Sequence, residues 1–232
     1  MPLTPAARRA VAILFLVCAT FPEAARAQEA RPLDASAVPM RGARPEAFAP
    51  AGWKIGMQVG GDLNGDGRAD RVLHLVPRDD SAAAADILAP GPETQALVIL
   101  LAARGGGWRR AGVAPRLLLP AMPQWGLQLA IRRGVLVVHQ YYGMATVWNY
   151  THRFRLHAPS GRFVLIGRDR LTYHRPQGMY DTEERSENYL TGVRLVTVGH
   201  LGRGGAYSER ARRETIPRRR TAFEDVREWD DG

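Results

Sequence analysis

The sequence predicts a mainly β domain in which short strands form an antiparallel meander of hairpins. Apolar or alternating runs of strand length recur along the chain, and glycine or proline interrupts it every 8 to 15 residues. These interruptions leave no room for a long amphipathic helix. One hairpin signal and one strictly alternating segment, both in the second half, support the same fold class.

The first half contains three segments that we expect to be strands, at residues 71–76, 96–102 and 108–114. The second of these is a short, continuous apolar run of the kind found in buried strands. Residues 77–95, between the first two, indicate a long excursion with a helical turn among the alanines. The glycines at 105–107 precede a strand rather than a helix, so they indicate a turn and not a phosphate-binding loop.

The second half carries the stronger β signals. Residues 127–132 and 135–142 flank the pair Arg133-Gly134 and predict a hairpin. The segment 146–156 alternates in polarity, so its side chains divide between two faces. The apolar, largely aromatic face comprises Thr146, Trp148, Tyr150, His152, Phe154 and Leu156, and the polar face Asn149, Thr151, Arg153 and Arg155. Further strands are expected at 163–167, with an extension over 171–174, and at 193–198.

Residues 1–27 have the layout of a secretory signal peptide. Arg8 and Arg9 precede an apolar run at residues 10–21, and small residues end at Ala27. A membrane-spanning helix needs about 20 residues, so an anchor that is never cut is the weaker alternative. We expect cleavage near Ala27 and a periplasmic or extracellular protein with no transmembrane segment in the mature chain.

Composition divides the remainder into three regions. Residues 28–50 are rich in alanine, proline and arginine without an apolar period, which predicts a flexible linker. Residues 51–205 would form the β domain, and residues 206–232 a charged C-terminal segment. Cys18 is the only cysteine and leaves with the signal peptide, so disulfides, a thiol nucleophile and a thiolate metal site are excluded from the mature protein.

The chain is basic, with a net charge of +9. Without the charged residues of the signal peptide, the mature chain keeps 29 basic and 22 acidic side chains and a net charge of +7. The densest basic cluster, at 210–220, is followed directly by acidic residues at 224–231, which predicts a solvated segment whose charges compensate one another. We therefore do not expect nucleic acid to be a partner. A protein or a component of the cell envelope is the expected kind of partner.

The stretch GGDLNGDGRADRVLHL, residues 60–75, contains the candidate ion site. Oxygen-bearing groups stand at alternate positions, in Asp62, Asn64, Asp66, Arg68 and Asp70. Calcium takes about six to eight oxygen ligands, and Gly67 permits the sharp bend that such a loop needs. Arg68 would contribute its backbone carbonyl and leave its side chain to solvent. Position 12 is Leu73 rather than the bidentate Glu of a helix-loop-helix site, so Asp70 would close the ligand shell.

A polar turn without a metal is the alternative. Asn64-Gly65 and Asp66-Gly67 are both strong turn pairs, and either can join two strands. An ordinary turn has no use for the outer carboxylates of Asp62 and Asp70 as well, because clustered carboxylates repel one another without a cation. Calcium binding with a structural role is therefore the expectation.

The residues DLNGDGRADRVL resemble the calcium loop of FG-GAP and VCBS-type repeats, which joins strands of a β-propeller blade. The resemblance implies that all five alternate residues of the loop are calcium ligands, with Arg68 acting through its carbonyl. Propeller blades repeat about every 40 to 45 residues, whereas this calcium-loop signature occurs once in the sequence. One or two propeller-like blades or a small β-sandwich is therefore expected, rather than a full propeller. More loosely, FRLHAPSGRFVLIGRD and SENYLTG look like segments of uncharacterised exported bacterial proteins that carry one such loop.

Catalytic motifs are not found: the sequence has no Gly-x-Ser-x-Gly elbow, no His-Glu-x-x-His pair and no Walker-type loop. One group of aromatic and histidine residues suggests a ligand pocket, although such residues more often pack within a sheet. Its members are His139, Tyr141, Trp148, Tyr150 and His152. The acidic residues Asp181, Glu183 and Glu184 indicate a solvated loop rather than a hydrolase centre.

Two classes of function remain. The first is an exported, non-enzymatic protein, stabilised by a calcium loop, that offers a β surface to a protein or envelope partner. The alternative is a small hydrolase or carbohydrate-binding domain that uses the aromatic and histidine face. A deep cleft with a perturbed carboxylate or histidine favours the alternative, and a flat, filled sheet favours the first.

Overall fold

The computed structural model of the chain describes residues 32–78, 94–119, 126–174, 181–202 and 205–227. The expected signal peptide and most of the excursion at 77–95 lie outside these residues. Within them, the chain forms twelve strands and three short 3-10 turns. The strands are β1 (Arg41–Gly42), β2 (Trp53–Gly61), β3 (Asp70–Pro77), β4 (Ala96–Ala102), β5 (Trp108–Ala114), β6 (Gly126–Arg132), β7 (Val135–Gly143), β8 (Thr146–His157), β9 (Arg162–His174), β10 (Thr182–Asn188), β11 (Val193–Leu201) and β12 (Tyr207–Thr215). The 3-10 turns are Ala35–Ala37, Pro45–Phe48 and Phe223–Asp225.

The strands form two antiparallel sheets. The small sheet has five strands in the order β1-β5-β4-β3-β2, and the large sheet has seven in the order β12-β11-β10-β9-β8-β7-β6. Apart from β1, each strand pairs with its neighbours in sequence, so both sheets are meanders. The mainly β, antiparallel prediction is confirmed, and the structure fits its small β-sandwich form. No helix in the described ranges has the length and apolar character needed to cross a bilayer.

Most predicted strands are present, with bounds close to those expected. Strands β4 and β5 coincide with residues 96–102 and 108–114, and the hairpin predicted at 127–142 is formed by β6 and β7. At its turn, Arg133 and Gly134 have φ of 50° and 75°. Left-handed φ at both turn positions matches the twist of the flanking strands, which is why this pair joins them.

The main core lies between the two sheets, and it defines an inner face of the large sheet, directed at the small sheet, and an outer face. The small sheet contributes Val72, Leu97, Ile99, Leu101 and Ala114, and the large sheet Leu136, Val138, Phe154, Phe163 and Leu165. The alternation predicted at 146–156 is confirmed, because Tyr150, His152 and Phe154 of β8 are buried on the inner face. Arg155 of the polar set is exposed.

Four strands were not anticipated from the sequence: β1, β2, β10 and β12. Strand β10 lies where a solvated loop was predicted around Glu183 and Glu184, so that prediction is wrong. Its sequence, TEERSEN, has no apolar residue, and it forms a strand because arginines of β9 and β11 stand beside its glutamates.

Residues 32–50, within the range 28–50 where the sequence predicts a flexible linker, pack against the small sheet. Leu33, Val38 and Phe48 are buried against the side of β3, β4 and β5 that faces away from the large sheet. The Arg110 guanidinium donates to the carbonyls of Ala35 and Val38. Strand β4 is apolar on both faces and needs a cover on each. The segment supplies one cover through isolated anchors, which leave no periodic pattern in the sequence.

The C-terminal segment is also part of the domain, which therefore extends beyond the boundary expected at residue 205. After β12 the chain returns to the main core, where Phe223 and Val226 are buried. The ring of Phe223 meets that of Phe154 edge to face, with 5.0 Å between the ring centroids.

Charge compensation in this segment differs from the expectation. Glu224 and Asp225 contact Arg162 of β9, at 3.2 and 3.3 Å, rather than the basic cluster. Within β12, Arg212 contacts Glu214 at 2.8 Å. Glu224 and Asp225 thus fasten the returning segment to β9 and do not pair with the basic strand, while the acidic residues at 228–231 lie outside the described residues.

Truncating Phe223 tests the core placement of this segment. Phe223→Ala should lower the free energy of unfolding by about 3 to 5 kcal/mol, because it removes a buried ring and leaves a cavity between the sheets. Urea unfolding followed by tryptophan fluorescence measures the loss. Tyr207→Ala, at a 49% exposed position, is the matched control and should change stability by less than about 0.5 kcal/mol. Equal stabilities of the two variants would contradict the placement.

Candidate functional site

The candidate ion loop joins β2 to β3. Gly65 and Gly67 have φ of 80° and 78°, in the left-handed region that favours glycine, and they let the chain wind around Asp62. The Asp62 carboxylate accepts backbone N–H groups from Asn64 (3.2 Å), Gly65 (2.7 Å), Asp66 (3.3 Å) and Gly67 (2.9 Å). Asp62 is therefore the hub around which the loop folds.

The second half of the loop is held by contacts of Asp66. Its Oδ2 accepts the Asn64 Nδ2 group at 2.9 Å, and its Oδ1 accepts the Arg68 N–H at 2.9 Å. The Arg68 guanidinium also contacts Asp66 Oδ2. The Arg68 side chain, expected to face solvent, is thus the cation nearest to the Asp66 carboxylate.

Asp70 is fully buried and has a structural role. Its Oδ2 accepts the Leu63 N–H and its Oδ1 the Ala102 N–H, each at 2.8 Å. One carboxylate therefore closes the base of the loop and ties it to the end of β4. Burial raises the pKa of Asp70, its two N–H partners lower it, and the charges of Asp66 and Asp62 raise it further.

The exposed carboxylates of the loop are stabilised in their ionised form. The Gly67 N–H is the largest cause of the lowered pKa of Asp62, and the Arg68 N–H is the largest cause for Asp66. The charge of Asp62 pushes the pKa of Asp66 upward. The carboxylates thus repel one another, and Arg68 relieves that repulsion only in part.

The loop offers oxygen donors of the kind that calcium prefers, in Asp62, Asn64 and Asp66. In the described residues, however, no group of three or more His, Cys, Asp or Glu side chains is arranged to hold a metal ion. Asp70 faces backbone N–H groups, and Arg68 occupies an oxygen of Asp66. A cation would therefore fit this donor set once the Arg68 guanidinium moves away from the Asp66 carboxylate. Asn64 and the backbone carbonyl of Arg68 would then be its neutral ligands.

The loop lies at the junction of the two sheets. A cleft of about 530 Å³ separates it from the β6–β7 turn and the end of β8, and Arg133 and Arg155 line its far side. At the near side, Ile131 of β6 packs so close to Gly61 that a Cβ there would lie 2.8 Å from the Ile131 Cγ2. Anything that orders the loop therefore acts on the contact between β2 and β6.

The predicted aromatic pocket is divided by the register of the large sheet. His139 and Tyr141 lie on the outer face, where His139 Nδ1 is 3.0 Å from Thr151 Oγ1. The other three members, Trp148, Tyr150 and His152, lie on the inner face. The five residues therefore lie on two different faces of the sheet.

The three inner residues belong to a ladder of stacked rings. The centroid of Tyr142 lies 4.9 Å from that of Trp148 and 5.9 Å from that of Tyr150. His152 follows, 6.4 Å from Tyr150 and 6.3 Å from Phe154. The ladder packs ring against ring along the inner face of β7 and β8.

His152 behaves as a core ring rather than a ligand. It is 1% exposed, and neither ring nitrogen has a hydrogen-bond partner among the described residues. Burial lowers the pKa of His152 to about 3, and the neighbouring charge of Arg168 contributes to the shift. The imidazole is therefore neutral at physiological pH.

A buried hydrogen-bond chain that links the two sheets was not predicted from the sequence. His74 Nε2 lies 2.6 Å from Gln95 Oε1, and Gln95 Nε2 donates to the Leu119 carbonyl at 2.5 Å. The Leu119 N–H then donates to Gln140 Oε1 at 2.9 Å. Because the Gln95 amide nitrogen is used on Leu119, its oxygen accepts from His74, which assigns the proton to Nε2. The one available signal was the strand period, which puts His74 on the same face as Val72.

The acidic residues of the 181–184 region do not form a catalytic pair. Asp181 contacts His200 at 2.6 Å on the surface. Glu183 contacts Arg185 at 2.6 Å, and Glu184, its neighbour on β10, points to the opposite face. Their carboxylates therefore do not converge on one cleft.

No family model, curated protein or solved structure matches this chain. The resemblance of its loop to FG-GAP and VCBS-type loops therefore stays a prediction.

Replacing His152 tests its place in the ladder. His152→Phe should stabilise the protein by about 1 to 2 kcal/mol, because it removes two buried nitrogens without partners and continues the stack. His74→Phe is the matched control at a second buried histidine, and it should cost about 1 to 3 kcal/mol by leaving Gln95 without its donor. Urea unfolding at neutral pH measures both, and a loss in both would show that His152 has a partner.

Acid unfolding of the same variant gives the pH dependence. The His152 pKa is about 3 in the folded protein, against about 6.5 for an unfolded histidine. Between these values the unfolded chain binds a proton that the folded chain does not, so stability falls as the pH is lowered through this window. The slope from this group is at most about 1.4 kcal/mol per pH unit. His152→Phe should remove that part of the slope, and an unchanged slope would contradict the assignment.

Proposed function

We propose that the protein is an exported, non-enzymatic interaction domain in which the loop at residues 62–70 binds calcium as a structural ion. The observation that carries the proposal is the pre-formed loop. Its backbone already winds around Asp62, and Asp70 already fastens its base. A cation would neutralise carboxylates that otherwise repel one another.

The ligand set follows from the exposed oxygens. Asp62, Asn64 and Asp66 would supply side-chain oxygens, and Arg68 its backbone carbonyl. Asp70 would join them through a lone pair that its two backbone partners leave open, since a carboxylate has about four acceptor positions. The ion would supply charge neutralisation and cross-linking of the loop, with no reaction step.

A role in interaction is supported by the large sheet. Its inner face carries stacked rings on β7 and β8, whereas β12 is exposed along almost its whole length and β11 is exposed in part. Leu195, Val198 and Tyr207 expose apolar surface there, on both faces of the sheet. A protein or envelope component is the partner class that such a surface fits.

The alternative, a small hydrolase or carbohydrate-binding domain, has less support. Its aromatic and histidine residues are divided between two faces, and Glu183 is engaged by arginine. Export stays part of the proposal on the strength of the signal layout at residues 1–27, which lie outside the described part of the chain.

Thermal unfolding with calcium and with a chelator tests the ion. Calcium should raise the unfolding midpoint, because a ligand at 100 times its Kd adds about 2.7 kcal/mol to the folded state. Asp66→Ala should abolish the shift, whereas Asp181→Ala, the same truncation just before β10 and away from the loop, should keep it. Equal unfolding midpoints with calcium and with chelator in the unmodified protein would contradict calcium binding by the loop.

The Arg68 contact predicts a gain of affinity on substitution. Arg68→Gln keeps the backbone carbonyl but removes the guanidinium that competes for Asp66, so calcium should bind about threefold to tenfold more tightly. Calorimetric titration measures the change. Arg116→Gln, at an exposed arginine away from the loop, should leave affinity within about twofold. Weaker binding by the Arg68 variant would mean that the guanidinium does not compete with the ion.

A further inference from the structure

β12 is an edge strand of nine residues, and all of its side chains except that of Glu214 are exposed. Within the described part of the chain it pairs with β11 alone, at the opposite end of the large sheet from β6. An edge strand of this length presents a row of backbone donors and acceptors to another chain.

Two backbone contacts show which residues of β12 face outward. Gly202 donates to the Ala206 carbonyl and Ile216 to the Gly192 carbonyl, each at 2.9 Å, so the pairs that bracket the β11–β12 ladder are hydrogen-bonded. Bonded and non-bonded pairs alternate along an antiparallel ladder. Counting from either end assigns the bonded positions to Ser208, Arg210, Arg212 and Glu214. The N–H and C=O groups that point away from β11 belong to Tyr207, Glu209, Ala211, Arg213 and Thr215.

Arginine side chains flank this outward row on both faces of the sheet. Arg210 and Arg212 stand opposite Val198 and Val196 on the inner face, and Arg213 lies on the outer face. The Arg212 side chain is 71% exposed even though it contacts Glu214. A strand added at this edge would therefore meet arginine on either face, in excess over Glu209 on the outer face and Glu214 on the inner face.

A second copy of β12 would meet both like and opposite charges at the edge. An antiparallel copy must align outward-facing residues, and with Ala211 at the centre it would place Arg210 of one copy opposite Arg212 of the other, twice. The same alignment would place Glu209 opposite Arg213, also twice, so like-charge and opposite-charge pairs balance. An acidic segment would instead place a carboxylate opposite each of Arg210 and Arg212, so the charges favour it over a second copy.

We infer that the edge of β12 accepts an extended acidic segment of a partner protein as an added antiparallel strand. Backbone hydrogen bonds to the outward row would supply affinity. Acidic side chains at alternate positions of the segment would face Arg210 and Arg212, whose planar guanidinium groups match carboxylates. The inference rests on the proposed interaction role and names its surface and its class of partner.

The test uses a fluorescent peptide of about nine residues, the length of β12, with glutamate alternating with valine. Fluorescence anisotropy should show binding, and Ala211→Pro should weaken it more than about tenfold, because it removes an outward N–H and leaves the bonds to β11 intact. Ala211→Thr keeps the donor and is the matched control. A peptide with lysine in place of glutamate should bind at least about tenfold more weakly.

Charge reversal supplies the second arm. The double substitution Arg210→Glu with Arg212→Glu should weaken the glutamate peptide about tenfold and strengthen the lysine peptide. Absence of peptide binding, equal binding by Ala211→Pro, or equal binding of both peptides would each overturn the inference. Polygalacturonate, an acidic polysaccharide, serves as the competing ligand. The inference would also be overturned if polygalacturonate excluded the peptide and its binding were unaffected by Ala211→Pro.

The calcium-dependent shift of the unfolding midpoint, measured on the same variants, separates the two proposals. A retained shift without peptide binding overturns the strand addition alone. Peptide binding without a shift overturns the calcium loop alone.

Discussion

The unequal width of the two sheets is the constraint on which the rest of the structure depends. A five-stranded sheet packed on a seven-stranded one covers the inner face of β6 to β9, and among the described residues it leaves that of β10 to β12 without a second layer. A continuous apolar face there would form a large exposed patch. The chain instead places Phe223 in the core with Phe154 and carries mostly charged or polar side chains on β10 and β12, while β11 keeps Val196 and Val198 on that face.

Glu187 of β10 lies where the covered part of the sheet ends. It accepts hydrogen bonds from Arg168 Nε at 3.1 Å, from Arg194 Nε at 2.7 Å and from the Tyr189 hydroxyl. Burial opposes ionisation of Glu187, but the hydroxyl and the two arginines outweigh it and lower its pKa. Burial and the same carboxylate raise the pKa of Tyr189 to about 12. A buried charge with this many partners lets a polar strand occupy a central place in the sheet.

Local patterns were enough to predict most of the fold, because strand alternation and turn pairs such as Arg133-Gly134 depend on near neighbours in sequence. What they missed depends on distant partners. The spacing of oxygen-bearing residues was enough to predict the ion loop. The role of Asp70, however, depends on its hydrogen bond from Ala102, 32 residues away. The faces of the pocket residues were missed for a related reason, since the register of β7 against β8 decides whether His139 and Trp148 share a face. A shift of one residue would reverse the answer, and no local pattern reports it.

The two edges of the large sheet differ in their surroundings: the β6 edge contacts the small sheet, and the β12 edge is exposed. The β6 edge is closed by β2 where Gly61 packs on Ile131, beside the loop that Asp70 fastens. The β12 edge lies six strand spacings away, about 29 Å at roughly 4.8 Å per strand. Sites this far apart without shared partners contribute nearly additively to free energy. An ion in the loop would therefore strengthen the closed side of the sandwich and leave the backbone groups of the open edge unchanged, so that a partner strand binds there independently of the ion.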